Sequence, residues 1–407
     1  MKTIVFIGSH KSGTSREAVQ IADQMGYFTV LITNNRKFID QREEFQDVHQ
    51  MIFMKEIHDI EKLKESFQLL QDQGKNIKAC ISLIDPYVHL ASILSREMGF
   101  VHLSTEALYK MEDKTRFRQA LQKLDVNPFY SVINQNDSVH EMIKQLENSL
   151  PLILKYPLSN GSKDVIFVKS KEALPKGIEF LKTKFPHLPI LIEEYLDGPQ
   201  YLIEVIVCQG DIHLIGVVEQ EFSQKDNFIV TGYSFPAEMD EFLHNKLEMT
   251  VKSIIKKLGM YHGSCHLEMR IVKGEWKLVE INPRMSGGAM NRIILEGTGV
   301  NIVQEIIKMN LGEEPNLKGV LSNYVFTHFL TVSSRGKLIK VTGKNRALSY
   351  DGVKEVYIKP RKGQILTAPY SMGDRYAYVL ASSNSKEEAK RIATKAAKEI
   401  KFYMEPL

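Results

Sequence analysis

The first apolar run, "TIVFIG" at residues 3–8, has the uninterrupted pattern of a strand buried on both faces. A polar glycine turn follows, and then "TSREAVQIADQMG", in which Ala18, Ile21, Ala22 and Met25 recur at helical spacing. "YFTVLIT" is strand-like again, and "MIFMK" and "KACISLI" supply later strands. This opening predicts a parallel, doubly wound sheet that ends near residue 105. Residues 105–124 read as one charged helix, after which "LPLILKYP", "DVIFVKS", "PILIEEYL", "QYLIEVIVCQG" and "DIHLIGVVEQEF" follow as strands with few helices between them. Such a run signals antiparallel sheet, a change of architecture. "NKLEMTVKSIIKKLG" and "NIVQEIIKMNLG" have helical periodicity, and "GSCHLEMRIVKGEWKLVEINPR" reads as a β-hairpin turning near Gly274. "GKLIKVTG", "VKEVYIKP" and "RYAYVLAS" are further strands, and "SKEEAKRIATKAAKEIKFY" reads as a long closing helix with a solvated polar face.

At 407 residues the chain is long for one core, so two or three domains are expected. The composition, 43% hydrophobic and 25% charged, is that of an ordinary globular protein. A net charge of +4, from 53 basic and 49 acidic residues, is too small and diffuse for a nucleic-acid surface. Cys80, Cys208 and Cys265 lie far apart in apolar runs without a C-x-x-C spacing, which disfavours zinc and redox chemistry. The N-terminal apolar run is too short for a signal peptide and no run reaches the roughly 18 apolar residues of a membrane span, so a cytoplasmic protein is expected.

The candidate chemistry lies in the hairpin. In "LVEINPRMSGG", residues 278–288, Glu280, Asn282 and Arg284 alternate and therefore share one strand face. Glu268 stands in the partner strand, where cross-strand pairing can bring its carboxylate to that of Glu280. Facing carboxylates repel unless a cation lies between them, and Mg2+ is commonly held by one or two carboxylates together with substrate phosphates. Asn282 adds a neutral oxygen, and Arg284 a fork suited to phosphate or carboxylate.

Cations are needed opposite such a face. Lys155 interrupts an apolar strand, where an ammonium is costly unless an anion receives it, and Lys114 is a second candidate. Asn160, Gly161 and Ser162 in "YPLSNGSKDV" could fold over phosphates through their backbone N–H groups. "ILIEEYLDGPQY" ends an apolar strand in a tight turn whose backbone could read an adenine edge. The early turn "GSHKSGTS" lacks the lysine of a phosphate-binding loop, Thr14 standing there, and His10 breaks a dinucleotide fingerprint. Its role is expected to be structural or on the substrate side.

Taken in this order, these segments resemble the ATP-grasp superfamily of carboxylate-amine ligases. Within it the chain is similar to the bacterial L-amino-acid ligases that make dipeptides, the bacilysin-synthetase type. The resemblance implies a mixed α/β and α+β architecture over the whole length. An N-terminal doubly wound domain (residues 1–105) would precede an ATP-grasp small lobe (106–190), a large lobe with the metal site (191–320) and a C-terminal α+β subdomain (321–407). It further implies ATP and two Mg2+ ions, Mn2+ being able to substitute. Lys114, Lys155, Asn160, Gly161 and Ser162 would meet the phosphates, while Glu193 and the backbone of Glu194, Tyr195 and Leu196 would read adenine. Gln200, where relatives often have an acid, would meet the ribose; Glu268, Glu280 and Asn282 would hold metal. Arg284 would stabilise an acyl phosphate, and the N–H groups of Ser286, Gly287 and Gly288 would form an oxyanion site. Lys163 and Asp164 stand where the family's glycine loop commonly has glycine.

Substrate-side candidates are Ser82, Leu83 and Pro86 at the carboxyl end of a first-domain strand, with Glu219, Glu221, Met285 and Met290; an apolar lining would suit an apolar activated amino acid. His262 and His266 are expected to be structural. Partners are expected to be small-molecule amino acids, with a homodimer left open and neither nucleic acid nor membrane involved. Purine-pathway and biotin-carboxylase-like ATP-grasp enzymes share the nucleotide motifs and stand as the alternative.

Overall fold

The computed structural model describes residues 1–159, 161, 163–223 and 229–407. The N-terminal sheet is parallel throughout, with strands Gln50–Phe53, Phe28–Thr33, Lys2–Ile7 and Asn76–Ile81 in that order. Its first strand is apolar on both faces because each face meets a different core. Val5 and Ile7 pack with Leu63 and Phe67 of helix Ile60–Asp72 and Leu94 of helix Tyr87–Glu97. Ile4 and Phe6 share a core with Val19 of helix Thr14–Gln24 and with Ile294 and Ile306, from helices Met290–Thr298 and Ile302–Asn310. The first domain is thus fused through apolar burial to the lobe that carries the hairpin.

The charged helix expected over residues 105–124 is two helices, Thr105–Met111 and Lys114–Ala120. Asp113 divides them, since its side chain accepts from the N–H groups of Thr115 and Arg116 and so caps a new helix. Lys114 becomes the first residue of that helix, and Phe117 and Arg118 are buried.

The next lobe is an antiparallel sheet in the order Tyr130–Ile133, Ile190–Glu194, Leu152–Lys155, Ile166–Val168. Helices Val139–Leu146 and Ala173–Lys184 back it. The second contains Pro175 and Gly177, which obscure it in the sequence; at Gly177 a Cβ would lie 3.2 Å from a Leu154 methyl, so the glycine lets helix and sheet approach.

The large sheet has eight strands, in the order Glu275–Asn282, Gly263–Val272, Gln200–Cys208, Asp211–Phe222, Val230–Phe235, Tyr324–Leu330, Ala377–Ser383, Val353–Ile358. Three strands from beyond residue 320 therefore continue the sheet of the preceding lobe. A smaller sheet sets Gly336–Thr342 between Ile365–Leu366 and Lys401–Pro406. The expected closing helix stops at Ala397, and Lys401–Pro406 is a strand. The helical period gives way there to alternation, with Phe402 and Met404 packed on the cluster of Leu338 and Tyr376. Among the described residues no helix is long and apolar enough to cross a membrane.

Candidate active site

The hairpin turns through Lys273 and Gly274, at φ 51° and 79°, the pair of positive angles that a two-residue turn needs to match strand twist. Its register sets Glu268 opposite Glu280 and His266 opposite Asn282. Burial, and then the charge of Glu280, push the Glu268 carboxyl up to about 7. Burial opposes charge on Glu280 as well, but Lys114 and Lys155 outweigh it and hold that carboxyl below its usual range. Of the two, Glu268 accordingly takes up a proton first.

Asn282 Nδ2 donates to Glu280 Oε1 at 3.1 Å and approaches His266 Nε2 at 3.2 Å. His266 Nδ1 is 2.8 Å from the Arg284 carbonyl, which can only accept, so Nδ1 carries the proton and Nε2 accepts from Asn282. Burial, then Arg284, lower the His266 pKa to about 4, consistent with this neutral ring. With both amide hydrogens engaged, Asn282 keeps Oδ1 as its available donor to a metal. Two carboxylates and an amide oxygen suit Mg2+ once phosphate oxygens complete the shell. Among the described residues no cluster of three His, Cys, Asp or Glu is present as an all-protein cage.

Opposite this face stand the lysines. Lys155 Nζ lies 2.6 Å from Glu193 Oε2, and Lys114 Nζ donates to Ser159 O at 2.6 Å and lies 3.2 Å from Glu280 Oε1. Glu193 Oε1 receives Arg118 Nε at 2.6 Å, and the rest of that guanidinium reaches the Leu278 and Val279 carbonyls at 2.8 and 2.9 Å. Arg118 thereby ties the strand Ile190–Glu194 to the hairpin. Burial opposes charge on Glu193, yet Arg118 and Lys155 hold its pKa at about 2. Glu193, expected at adenine, thus has both oxygens engaged by cations.

The base-side segment is partly engaged too. The N–H groups of Glu194 and Tyr195 donate to Phe129 O and Pro151 O at 3.1 and 3.0 Å, leaving Leu196 N–H without a backbone acceptor among the described residues. Gln200 Nε2 donates to Gln220 Oε1 at 2.8 Å and Glu268 Oε2 at 3.0 Å, and Gln200 Oε1 accepts from Arg270 Nε at 2.8 Å. In this network its amide hydrogens orient Glu268, while Gln200 also lines the cavity. Asp164, at a glycine-favouring position, adopts φ 59° and accepts from Tyr370 Oη at 3.1 Å while pairing with Lys184.

At the far end, Arg284 Nε donates to Asp85 Oδ2 at 3.0 Å, across the boundary with the first domain, and Nη1 to Met285 O at 3.1 Å. Ser286 N–H is held by Glu204 Oε1 at 3.1 Å, and Ser286 O accepts from Thr14 Oγ1 at 2.7 Å. Ser286 is therefore corrected as an oxyanion donor, its N–H being occupied, whereas Gly287 and Gly288 are exposed to the cavity. Burial pushes the Glu204 carboxyl up to about 7. A Cβ on Gly13 would lie 3.3 Å from Gly288 N, and the φ of 78° is one that side chains rarely take, so the early turn meets the Gly288 loop backbone to backbone.

One cavity of about 540 Å3 collects Lys114, Lys155, Gly161, Glu193, Glu194, Tyr195, Leu196, Gln200, Glu268, Glu280, Asn282, Arg284, Ser286, Gly287, Gly288 and Leu83. Asn160 and Ser162 lie outside the described residues. Six substrate-side expectations are corrected. Ser82 and Pro86 are not in the wall, Ser82 Oγ bonding within its own turn. Met285 and Met290 are buried in the core against the first domain. Glu219 pairs with Lys386 at 2.8 Å on the opposite sheet face, as Glu221 does with Lys390; Gln220 lines the cavity instead. Asp85 falls within the expected segment "SLIDPY", residues 82–87, whereas Arg118 and Glu204 were not among the expected site residues. Glu204 was discoverable, since a glutamate inside "YLIEVIVC" raises the same burial question as Lys155.

Residues 148–292 match the family model described as ATP-grasp domain, and residues 328–405 match that of L-amino acid ligase C-terminal domain 2. Over 264 residues the chain is 26% identical to the uncharacterized protein y4rH of Sinorhizobium fredii, covering 64% of this chain but only 54% of that protein, about half its length. It is 22% identical over 318 residues to dapdiamide A synthase of Enterobacter agglomerans, covering 71% of this chain and 74% of that one. The crystal structure of L-amino acid ligase from Bacillus licheniformis shares the fold, with a TM-score of 0.81 at 19% identity over 100% of this chain and 99% of that chain. With both matched regions on one such fold, the chain belongs to the ATP-grasp superfamily and is related to the L-amino acid ligases.

Proposed function

We propose that the protein joins two L-amino acids into a dipeptide, with ATP converted to ADP and phosphate through an aminoacyl phosphate. The observation that carries this reading is the grouping, in one cavity, of two buried lysines opposite the Glu268, Glu280 and Asn282 face, with Arg284 and two exposed glycines at the far end. Lys114 and Lys155 would exchange their carboxylate contacts for phosphate oxygens, an exchange suited to a transfer that relies on positioning and electrostatics. Bound Mg2+ would supply neutralisation of phosphate charge, held by Glu268, Glu280 and Asn282. A substrate carboxylate oxygen attacks the γ-phosphorus as the bond to ADP breaks, and the amine then displaces phosphate from the acyl carbon.

Arg284 faces the acyl end. Three of its five N–H donors are engaged by Asp85 and Met285 O, leaving two for an acyl-phosphate oxygen. The N–H groups of Gly287 and Gly288 serve the tetrahedral oxyanion. Leu83, Ile84, Phe222 and Tyr233 offer an apolar wall, favouring an apolar activated amino acid.

The acyl phosphate is tested by supplying the amino acids together, each labelled in its carboxyl group with oxygen-18, with Mg-ATP. One labelled oxygen in each released phosphate is expected. Release of unlabelled phosphate alongside product would contradict the route.

A further inference from the structure

The catalytic cavity shares Ser12, Gly13, Gly288, Met372 and Arg375 with a second cavity, of about 400 Å3. Arg375 is the charged member of that shared wall. Its Nε donates to Met372 O at 3.2 Å and its Cζ lies 4.0 Å from the centre of the Phe329 ring. Its Nη1 is shut from solvent without an acceptor among the described residues. By contrast, Arg16, Arg118 and Arg284 each hold a carboxylate. A half-buried guanidinium that lines both cavities, holds no carboxylate among the described residues and lies over an aromatic face is a site prepared for a planar anion, a carboxylate above all.

The remaining wall of the second cavity carries both signs around an apolar middle: Lys11 and Arg16 pair with Glu44 and Asp47, Lys359 donates to Gly373 O, and two glutamates face them. Glu17 and Glu355 line it, the first accepting from Asn291 Nδ2 at 3.0 Å and the second from Tyr378 Oη at 2.7 Å. Tyr357 and Tyr378 stack at 5.3 Å between them and Arg375 in the same wall. A molecule with a carboxylate at one end and a cationic or polar group further along matches this distribution.

We propose that the second cavity receives the amine-donating substrate, an α-amino acid whose carboxylate is held by Arg375 and whose side chain runs along Tyr357 and Tyr378 toward Glu17 and Glu355. The inference rests on the ligase reading of the first cavity. An α-amino nitrogen is one carbon removed from its carboxylate, so a carboxylate on Arg375 leaves the amine beside Gly288, where the two cavities meet. The segment bearing Arg375 is also tied to the phosphate side, Met372 N–H donating to Gly161 O at 3.2 Å. Arg375 is thus a substrate-binding and specificity-determining residue contributed from beyond the ATP-grasp match.

The test compares amine donors in the presence of Mg-ATP: free amino acids, their C-terminal amides, and hydroxylamine, a small nucleophile without a carboxylate that converts an acyl phosphate to a hydroxamate. The wild-type protein should prefer each accepted acid over its amide by at least about tenfold, the scale of a charged hydrogen bond. In Arg375→Met the ratio of peptide to hydroxamate formed should fall about ten- to hundredfold and acid and amide donors should become equivalent, with Arg375→Lys recovering part of the preference. Equal use of acids and amides by the wild-type protein would overturn the proposal without any variant. So would a parallel loss of peptide and hydroxamate in Arg375→Met. Hydroxamate absent from the wild-type protein with every amino acid is a different result: it would overturn the ligase reading, and this inference with it.

Discussion

Three carboxylates in and just behind the cavity wall carry different charges because their neighbours differ. Glu193 lies between Arg118 and Lys155 and stays ionised; Glu268 has Glu280 opposite and is pushed toward neutrality; Glu204 has the Ser286 N–H and the charge of Arg284, which burial outweighs. Glu204 has a consequence for stability. Its pKa rises from the ordinary 4.5 to about 7 on folding, so below the lower value the group is protonated in both states. As pH rises through that window the unfolded chain loses the proton first, so stability falls, by roughly 3 kcal/mol in all, and levels off above the upper value. Glu204→Gln keeps an acceptor for Ser286 N–H and removes the titration. Urea unfolding should find the variant more stable than wild type at about pH 8, by up to about 3 kcal/mol, with little difference at about pH 4. An unchanged difference between the two pH values would show that folding leaves the Glu204 pKa at its ordinary value.

The hairpin decides how the face of Glu268, Glu280 and Asn282 is assembled. Register is fixed by the turn, and a slip of one residue would move Glu268 and Glu280 to the other face. A Cβ on Gly274 meets open space, so substitution there tests backbone conformation alone. Gly274→Val should lower stability by about 1–2 kcal/mol and weaken Mg-ATP binding, whereas Gly274→Asn, which tolerates the left-handed region, should do neither to the same degree. Thermal unfolding with calorimetric titration of Mg-ATP checks both; equal behaviour of the two variants would mean the turn does not set the register. This element was legible in the sequence because strand alternation is local, and "LVEINPRMSGG" displays it directly. The strand Asp211–Phe222 was less so. A bulge between Leu214 and Gly216 resets its alternation, and Gln220 faces the cavity while Glu219 and Glu221 face helix Lys386–Ala397. The helix Ala173–Lys184 was hidden by its own proline and glycine.

On the scale of the whole molecule, the site exists because three regions converge on it. The first domain supplies Asp85 and Thr14, the ATP-grasp lobes supply the lysines and the hairpin, and the last strands bring Arg375. Architecture and family were readable from the sequence, since they depend on the order of local patterns. The pairing of Arg284 with Asp85 and of Arg118 with Glu193 was not, because each joins residues from distant parts of the chain. The same limit explains Met285 and Met290, whose apolar character fits a pocket or a core equally well until the first domain is packed against them. The most direct test of the central claim is phosphate release from Mg-ATP across all amino acids, singly and in pairs, with mass spectrometry of the products. Phosphate and a dipeptide should appear together, in equal amounts, for particular pairs. ATP binding with no phosphate and no dipeptide for any pair would contradict the account.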